Sequence, residues 1–362
     1  MLNDTSPSTS GVRIERRNAL GIITLDRPKA LNAFDSEMRR AIAGVLPEFA
    51  KDPIIYGLAF RSNSDKAFCA GGDVRKIIAA YRDDPSQARA MFADEYALDW
   101  ALECFSKPSV SLIDGAVMGS GVGLSAFNTH RVAGENYRFA MPETAIGLFP
   151  DVGAAHVLAR LPHEMGLYLG LTGRTIGRAD AYALGLVTHC VSSELHDDII
   201  EQLGEAWPID KLLDDRHVDP GESDLMRHAL TISNCFAAAT PTAILDRLAT
   251  VTGSETEWAN GVRDDLLERA PMSLEVTVRH IRQARTEELS DTLVRDYRLA
   301  CRFLEGRDFA EGVRALLIDK DKSPKWHPAV LADVDPVRLD AYFRTLSDEL
   351  VLPAREQMQA IS

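Results

Sequence analysis

The stretch Val110-Ser-Leu-Ile-Asp-Gly-Ala-Val-Met-Gly-Ser-Gly-Val-Gly123 runs from an apolar strand into glycine-rich backbone that opens a helix. Glycine has no Cβ atom, so a ligand can approach the backbone N–H groups of such a turn closely. N–H groups at a helix start stabilise negative charge, including the charge that develops on a carbonyl oxygen during acyl transfer. A glycine turn after a strand is most often only a tight turn, so the stretch indicates acyl chemistry only if the rest of the chain supports it.

A second glycine turn repeats this plan earlier in the chain. Lys66-Ala-Phe-Cys-Ala-Gly-Gly-Asp73 follows a predicted strand at 54–61 and opens another helix. Two such turns whose N–H groups converge on one carbonyl oxygen would form an oxyanion hole. Neither turn fits the GxGxxG pattern or the GxxxxGK(S/T) pattern, so a nucleotide phosphate site is not indicated.

Two carboxylates follow in the stretch Met141-Pro-Glu-Thr-Ala-Ile-Gly-Leu-Phe-Pro-Asp151. Glu143 and Asp151 each follow a proline in an apolar setting, which is expected to raise the pKa of a carboxyl group by desolvation. A raised pKa suits a general base near neutral pH. Each residue also has a structural alternative: Glu143 as a solvated loop residue, and Asp151 as the N-cap of the next helix.

Size, charge and cysteine usage narrow the class of protein. The chain has 362 residues, of which 46% are hydrophobic and 26% charged, as in globular proteins with a large core. A formal charge of −14 without a basic stripe argues against nucleic-acid binding, and no apolar run is long enough to span a membrane. The polar N-terminus predicts a disordered tail rather than a secretory signal. Five cysteines without metal-ligand spacing predict reduced, buried thiols, no metal site and a cytoplasmic location: Cys69, Cys104, Cys190, Cys235 and Cys301.

The order of predicted elements indicates an α/β part followed by helices. Strands are predicted within 11–26 and at 54–61, 110–113 and 187–191, with a first helix capped by Asp35 or Ser36 and others at 86–105, 154–161, 165–171 and 178–184. Amphipathic helices are predicted at 225–236, 241–251, 255–270, 271–284 and 287–303. We therefore expect a tail at 1–10, an α/β core at 11–192 and a helical region at 193–362.

Together, these motifs resemble the crotonase superfamily, the enoyl-CoA hydratase/isomerase fold. The resemblance covers about 21–191 and rests on Asp26-Arg-Pro-Lys-Ala-Leu-Asn32, the two glycine turns and Phe139-Ala-Met-Pro-Glu143. It implies a crotonase-like (ClpP/crotonase) spiral of ββα units. It also implies an acyl-coenzyme A substrate whose thioester oxygen accepts hydrogen bonds from the amides of Gly72 and Ser120, with no other cofactor and no metal.

The chain is more similar still to the 3-hydroxyisobutyryl-CoA hydrolase branch of that superfamily. Ala140-Met-Pro-Glu-Thr-Ala-Ile-Gly-Leu-Phe-Pro-Asp-Val-Gly153 resembles the branch's signature, as do Gly312-Val-Arg-Ala-Leu-Leu-Ile-Asp-Lys-Asp321 and Ser323-Pro-Lys-Trp326. Coverage is then nearly the whole chain. The resemblance implies that Ser120, which replaces a usual glycine, keeps its amide donor. It implies catalytic or substrate contacts at these residues: Arg27, Lys29, Ala30, Ala70, Gly72, Asp73, Glu95, Ser120, Glu143 and Asp151.

One absence separates hydrolysis from hydration. Hydratases of the superfamily use two glutamates, and the first falls where this chain has Gly123. Because hydration needs both members of that acid–base pair, we expect hydrolysis rather than hydration. The resemblance to the hydrolase branch implies that the substrate is a short, branched 3-hydroxyacyl-CoA, as in valine breakdown. Glu143 would activate water or attack the thioester itself. The alternatives are an enoyl-CoA hydratase or isomerase, and a non-catalytic acyl-CoA-binding protein.

The resemblance also bears on assembly. Superfamily members usually form trimers or dimers of trimers. Helices after residue 193 that fold back over the site would instead allow a smaller assembly such as a dimer.

Overall fold

The computed structural model describes residues 11–361, so the tail expected at 1–10 lies outside the described residues. The strands of the described part are Val12–Arg17 (β1), Leu20–Leu25 (β2), Gly57–Ser62 (β3), Ala67–Cys69 (β4), Ser109–Ile113 (β5), Ala116–Met118 (β6), His130–Ala133 (β7), Arg138–Ala140 (β8) and His189–Cys190 (β9). Its helices are Ser36–Lys51 (α1), Val74–Asp83 (α2), Pro85–Glu103 (α3), Ser120–Ala126 (α4), Ala154–Leu158 (α5), Met165–Thr172 (α6), Arg178–Ala183 (α7), His196–Gly204 (α8), Ile209–Asp214 (α9), Ala229–Phe236 (α10), Pro241–Ala249 (α11), Thr256–Glu268 (α12), Pro271–Ala284 (α13), Leu289–Glu305 (α14), Asp308–Val313 (α15), Pro336–Phe343 (α16) and Arg355–Ile361 (α17).

Two sheets of different size organise these elements. The larger sheet has the strand order β1-β2-β3-β5-β7-β9, with an antiparallel first pair and parallel pairs after it. The smaller sheet has the order β4-β6-β8 and is parallel. From β3 to β8, strands of the larger and the smaller sheet alternate along the chain, and a helix follows each such pair. This repeat of two strands and a helix is the ββα spiral that the resemblance to the crotonase superfamily implied.

The larger sheet is apolar on both faces, as is typical of parallel sheets covered on both sides. Leu20 and Ile22 of β2 face α8 and α9, whereas Ile23 and Leu25 face the main core that also contains the C-terminal helices. Helices on both sides of the residue 192–193 boundary therefore share packing with the sheet. That boundary stays a prediction.

The structure confirms several predicted elements and shifts others. Asp35 is the N-cap of α1, and its carboxylate accepts the N–H groups of Glu37 and Met38. The strand predicted at 54–61 was placed too early, because Ile54 lies in an exposed turn whose N–H donates to Asp52. Strand β4 and strands β6 to β8 were not predicted, since three or four residues give too little alternation to detect. Helices α8, α9 and α15 to α17 were not predicted either.

The burial of the thiols agrees with a further prediction from composition. All five cysteines are buried and unpaired, and burial raises the pKa of the Cys69 thiol to about 12, which does not favour a nucleophile. Among the helices within residues 11–361, none combines the length and apolar character that a membrane crossing needs.

Candidate active site

A cavity of about 240 Å³ lies where the two glycine turns meet. The first turn connects β4 to α2, and the second connects β6 to α4, so neighbouring strands of the small sheet bring them to one edge. Besides Ala70, the wall of this cavity includes five of the predicted residues: Gly72, Glu95, Ser120, Glu143 and Asp151. The sequence prediction that these residues act at a common site thus has a geometric basis.

The two turns present backbone N–H groups at this cavity. Ser120 is the first residue of α4, and the first N–H groups of a helix have no partner inside the helix. Within residues 11–361, neither the Gly72 N–H nor the Ser120 N–H donates to an acceptor of the chain. A Cβ atom added at Gly72 would lie 2.9 Å from Ser120 Oγ, so the turns are in close contact. The pair can therefore serve as donors to one ligand oxygen.

Glu143 begins a 3₁₀ turn directly after Pro142. Its side chain is only 6% exposed, and within residues 11–361 Oε2 has no hydrogen-bond partner. Oε1 lies against the second glycine turn, since a Cβ atom at Gly119 would be 3.0 Å from it. Burial, and then the charge of Asp151, raises the pKa of Glu143 well above its usual range. The alternative of a solvated loop residue is therefore wrong.

Asp151 accepts a hydrogen bond from the Tyr96 hydroxyl, with 2.7 Å between Tyr96 Oη and Asp151 Oδ2. It is not a helix cap: the N-cap of α5 is Gly153, and Asp151 contributes only its carbonyl oxygen, to the N–H of Ala154. That structural alternative is also wrong. Burial, followed by the charges of Glu95 and Asp296, raises the pKa of Asp151 well above its usual range.

Helix α3 supplies further acidic groups to the same region. Glu95 lies on the cavity wall, and its Oε2 accepts from Arg39 Nη1 at 2.9 Å, with both side chains almost completely buried. Asp99, one turn later, is 2% exposed, and within the described chain its Oδ2 has no partner. Burial raises the pKa of Asp99 well above its usual range, and the charges of Glu95 and Asp151 add to that rise. Arg39, Tyr96 and Asp99 were missed in the sequence. Charged residues four apart on an otherwise apolar helix face are the signal that would have revealed Asp99.

Gly123 has no room for a side chain. A Cβ atom there would lie 2.6 Å from Asp99 Oδ1 and 3.0 Å from Val152 Cβ. The space that a glutamate at this position would enter is therefore occupied by α3 and by the turn that carries Asp151. The carboxylates on this cavity come instead from Glu95, Glu143 and Asp151.

The remaining predicted contacts are not all on the cavity wall. Ala70 lines it. Arg27 joins neighbouring loops, with its Nη1 2.5 Å from the Ala33 carbonyl oxygen and 2.9 Å from a carboxylate oxygen of Asp35, and with Asp73 at 3.8 Å. Lys29 and Ala30 are exposed on the turn Pro28–Ala30. Substrate-binding roles for these last residues stay predictions.

The C-terminal region closes another side of the cavity. Leu316 and Leu317 line it from a π-helical turn, Arg314–Ile318, directly after α15. Helix α15 packs closely on the Glu143 turn, because a Cβ atom at Gly147 would lie 2.3 Å from the Asp308 carbonyl oxygen. The helical region after residue 193 thus folds back over the site within one chain.

Gly312→Ala is expected to lower the free energy of unfolding by about 1–3 kcal/mol, as overpacking does. The added methyl group would lie 2.3 Å from backbone atoms of Ile146, where α15 meets the Glu143 turn. Urea denaturation followed by circular dichroism measures the change. The control is Gly44→Ala at an exposed position of α1 with no neighbour within 4 Å, where stability should instead rise by about 0.5–1 kcal/mol. Equal changes in both variants would show that α15 does not depend on this contact.

Comparison with known proteins identifies a matching family, similar sequences and a similar solved structure. Residues 20–343 match the family model described as enoyl-CoA hydratase/isomerase. A Rattus norvegicus protein named 3-hydroxyisobutyryl-CoA hydrolase, mitochondrial, is 39% identical, over 93% of this chain and 90% of that protein. The Arabidopsis thaliana protein named 3-hydroxyisobutyryl-CoA hydrolase 1 is 36% identical, over 98% of this chain and 97% of its own length. A solved structure of a carnitinyl-CoA dehydratase from Mycobacterium thermoresistibile superposes with a TM-score of 0.89 at 33% identity, over 95% of this chain and 99% of that chain.

Proposed function

Because the chain belongs to the enoyl-CoA hydratase/isomerase family and has its crotonase fold, we propose that it hydrolyses a 3-hydroxyacyl-CoA thioester. The substrate is 3-hydroxyisobutyryl-CoA, and the products are 3-hydroxyisobutyrate and CoA, as valine breakdown requires. Relatives named for this hydrolase match more than nine-tenths of the chain. The observation that carries the proposal is the Glu143 carboxylate, which lines the cavity together with Gly72 and Ser120 and whose Oε2 has no hydrogen-bond partner among the described residues.

The two amides act on the thioester oxygen. In the transition state this oxygen gains negative charge, and the N–H groups of Gly72 and Ser120 stabilise that charge more strongly than they stabilise the neutral carbonyl. Glu95, Glu143 and Asp151 on the cavity wall are buried, and hydrogen bonds in such low-dielectric surroundings are stronger than in bulk water. This differential binding lowers the barrier to addition at the carbonyl carbon.

Glu143 supplies the other half of the chemistry by one of two routes. As a nucleophile, its carboxylate oxygen bonds to the carbonyl carbon and the C–S bond breaks, so CoA leaves as a thiolate and a mixed anhydride remains for water to hydrolyse. As a general base, it takes a proton from water while the water oxygen bonds to the carbonyl carbon, and that proton then passes to the departing thiolate. Both routes need the ionised carboxylate.

In this proposal, Asp151 and Glu95 on the cavity wall recognise the substrate's 3-hydroxyl group, and the Tyr96 hydroxyl holds Asp151 through its hydrogen bond. The Asp151 carboxylate and the unpartnered Glu95 Oε1 are buried acceptors on the wall. A substrate hydroxyl can donate to such an acceptor, whereas an acyl group without it leaves the acceptor unpaired in a low-dielectric site. Sites of this kind discriminate strongly against the analogue that lacks the hydroxyl.

A second space of about 660 Å³ adjoins the first and offers room for the CoA moiety. It shares Leu316 and Leu317 with the cavity that Gly72, Ser120 and Glu143 line, which we call the acyl cavity. It is also lined by Arg269, Lys322 and Trp326. Cations at this place suit the phosphates of CoA in a chain whose formal charge is −14. Local basic residues, rather than the overall field, would then attract the substrate.

Two predictions about the protein's surroundings belong to the same proposal. The five buried, unpaired thiols suit a reducing compartment, and the rat relative is named mitochondrial, so a cytoplasmic location stays a prediction. Assembly into dimers or trimers also stays a prediction. Nucleic acid and membrane partners are not expected from the acidic composition and the helix lengths.

The proposal is tested with a panel of acyl-CoA substrates. We expect the protein to release free CoA, measured with a thiol reagent, from 3-hydroxyisobutyryl-CoA with a higher kcat/KM than from isobutyryl-CoA, which lacks the hydroxyl. Crotonyl-CoA should show no loss of its enoyl absorbance, because Gly123 leaves no place for the second glutamate. Rapid crotonyl-CoA hydration without thiol release would favour the enoyl-CoA hydratase or isomerase alternative. CoA binding without turnover of any substrate would favour a non-catalytic binding protein.

A further inference from the structure

A buried chain of polar residues runs from the C-terminal helices to the turn that carries Asp151. The Gly153 N–H donates to Asp296 Oδ2 at 2.7 Å, and Asp296 Oδ1 lies 2.6 Å from His280 Nε2. Arg295 Nε donates to His280 Nδ1 at 2.8 Å. His280 and Asp296 are completely buried, and Arg295 is 6% exposed. None of these three side chains lines the acyl cavity, so the proposed reaction does not use them directly.

The hydrogen bonds fix which group donates and which accepts at each step of this series of polar residues. An arginine can only donate, so His280 Nδ1 accepts and the imidazole proton sits on Nε2, which donates to Asp296. Burial, and then the Arg295 charge, lowers the pKa of His280 well below its usual value, which agrees with a neutral ring. Burial raises the pKa of Asp296 to about 8, whereas the N–H of Gly153 and the Arg295 charge favour its carboxylate form. Arg295 is itself fixed by Glu287, 2.7 Å from its Nη1.

The turn at 151–153, where this series of polar residues ends, has an unusual backbone. Val152 has φ 54° and Gly153 has φ 72°, and a β-branched residue rarely adopts the left-handed region. Such conformations persist only where surrounding contacts determine them, and they cluster at functional sites. The Asp296 carboxylate makes the only side-chain hydrogen bond to the backbone of 151–153 within the described residues. Asp151 precedes this strained pair, so the direction of its carboxylate depends on the turn.

We propose that Asp296, fixed by His280 and Arg295, is a positioning residue that maintains the left-handed turn at 152–153 and thereby aims the Asp151 carboxylate into the acyl cavity. The inference rests on the proposed role of Asp151 in substrate recognition. It makes the C-terminal helices α13 and α14 part of the active site's support, although they contribute no group that touches the substrate.

A double-mutant cycle tests this role. Asp296→Asn places an amide where a carboxylate accepted two N–H groups, so it cannot pair with both Gly153 and His280. We expect Asp296→Asn to lower kcat/KM for 3-hydroxyisobutyryl-CoA by about tenfold, a typical coupling between residues in one network. In an Asp151→Asn background the same change should have little further effect, because the residue through which Asp296 acts is already altered.

The outcomes of the cycle are distinct. Equal losses in both backgrounds would overturn the inference, since Asp296 would then act on the fold or on another group. No loss in either background would also overturn it. Wild-type activity of Asp151→Asn alone would instead refute the proposed role of Asp151. Thr277→Val, a completely buried change one turn before His280 on α13, is the control and should leave kcat/KM unchanged.

A second pair of variants covers the case in which Asp296→Asn does not fold. His280→Gln keeps a side-chain N–H donor for Asp296, whereas His280→Leu removes it. We expect the Gln variant to retain a kcat/KM about tenfold higher than that of the Leu variant. The difference should disappear in the Asp151→Asn background. Equal activity of the two variants in the otherwise unchanged protein would overturn the inference.

Discussion

Glu143→Gln is expected to lower kcat for CoA release from 3-hydroxyisobutyryl-CoA by at least about 10²-fold, the usual contribution of a general base. The substitution preserves the shape of the side chain but removes the ionisable oxygen that attacks the thioester or accepts the proton of water. KM should change less, because the amide donors and the CoA contacts remain. Glutamine at position 143 also carries no charge. The variant therefore leaves no buried anion without a partner, and its free energy of unfolding should not fall.

The pH dependence of the wild-type protein follows from the same residue. Burial and the charge of Asp151 raise the folded-state pKa of Glu143, so the carboxylate loses its charge at a higher pH than an exposed glutamate does. Activity should be full above that raised pKa and fall as pH decreases through it, with the fall lying well above pH 4.5. Glu143→Gln should lack this acidic limb in its residual activity. A limb that is unchanged in the variant would belong to another group.

The matched control for this prediction is Glu275→Gln. Glu275 is half-buried on α13, its pKa is also raised by burial, and it does not line the acyl cavity. The two substitutions therefore remove the same chemical group from apolar surroundings, but only one removes it from the site. Equal kcat values for Glu143→Gln and the wild-type protein would exclude Glu143 from the mechanism.

The fold and the site differ in how far the sequence predicts them. Strand β1 is visible because Val12 and Ile14 alternate with charged residues, and strands β2 and β5 are visible because each is a short run rich in apolar, β-branched residues. Strands β6 and β8 have three residues each and pair only with distant partners, so nothing local distinguishes them from loops. The ββα repeat was therefore predicted from the resemblance and not from periodicity.

Within the site, motif residues were predictable and supporting residues were not. Glu143 and the Ser120 amide lie in continuous stretches of sequence, in which the glycine and proline residues of the turns can be recognised directly. The Tyr96 hydroxyl instead reaches Asp151 from a helix residue 55 positions away, and the Asp296 carboxylate reaches the Gly153 N–H from a helix residue 143 positions away. Their partners are fixed by tertiary packing, which a single sequence does not encode in any local pattern. The helix-cap interpretation of Asp151 was wrong for the same reason, because the competing hydroxyl comes from α3.

Ser120→Pro is expected to lower kcat by about 10²- to 10³-fold, the usual cost of losing one oxyanion donor. Ser120 is the first residue of α4, and proline is favourable at that position because its fixed φ suits a helix start and the missing N–H has no helical partner. Gly119 has φ 46° and ψ −120°, outside the α region that a following proline disfavours. The substitution therefore removes one hydrogen-bond donor while leaving the helix start compatible with the fold.

Ser120→Ala separates the amide from the side chain. It retains the N–H and removes only the hydroxyl, so kcat should stay near the wild-type value, and relief of crowding beside Gly72 would raise it rather than lower it. Affinity for the product CoA should be similar in both variants, because an oxyanion donor acts mainly on the transition state. Stopped-flow measurement of thiol release gives kcat, and circular dichroism confirms that each variant is folded. A folded Ser120→Pro variant with wild-type kcat would show that the charge on the thioester oxygen is stabilised elsewhere, and an equal loss in Ser120→Ala would assign the effect to the hydroxyl.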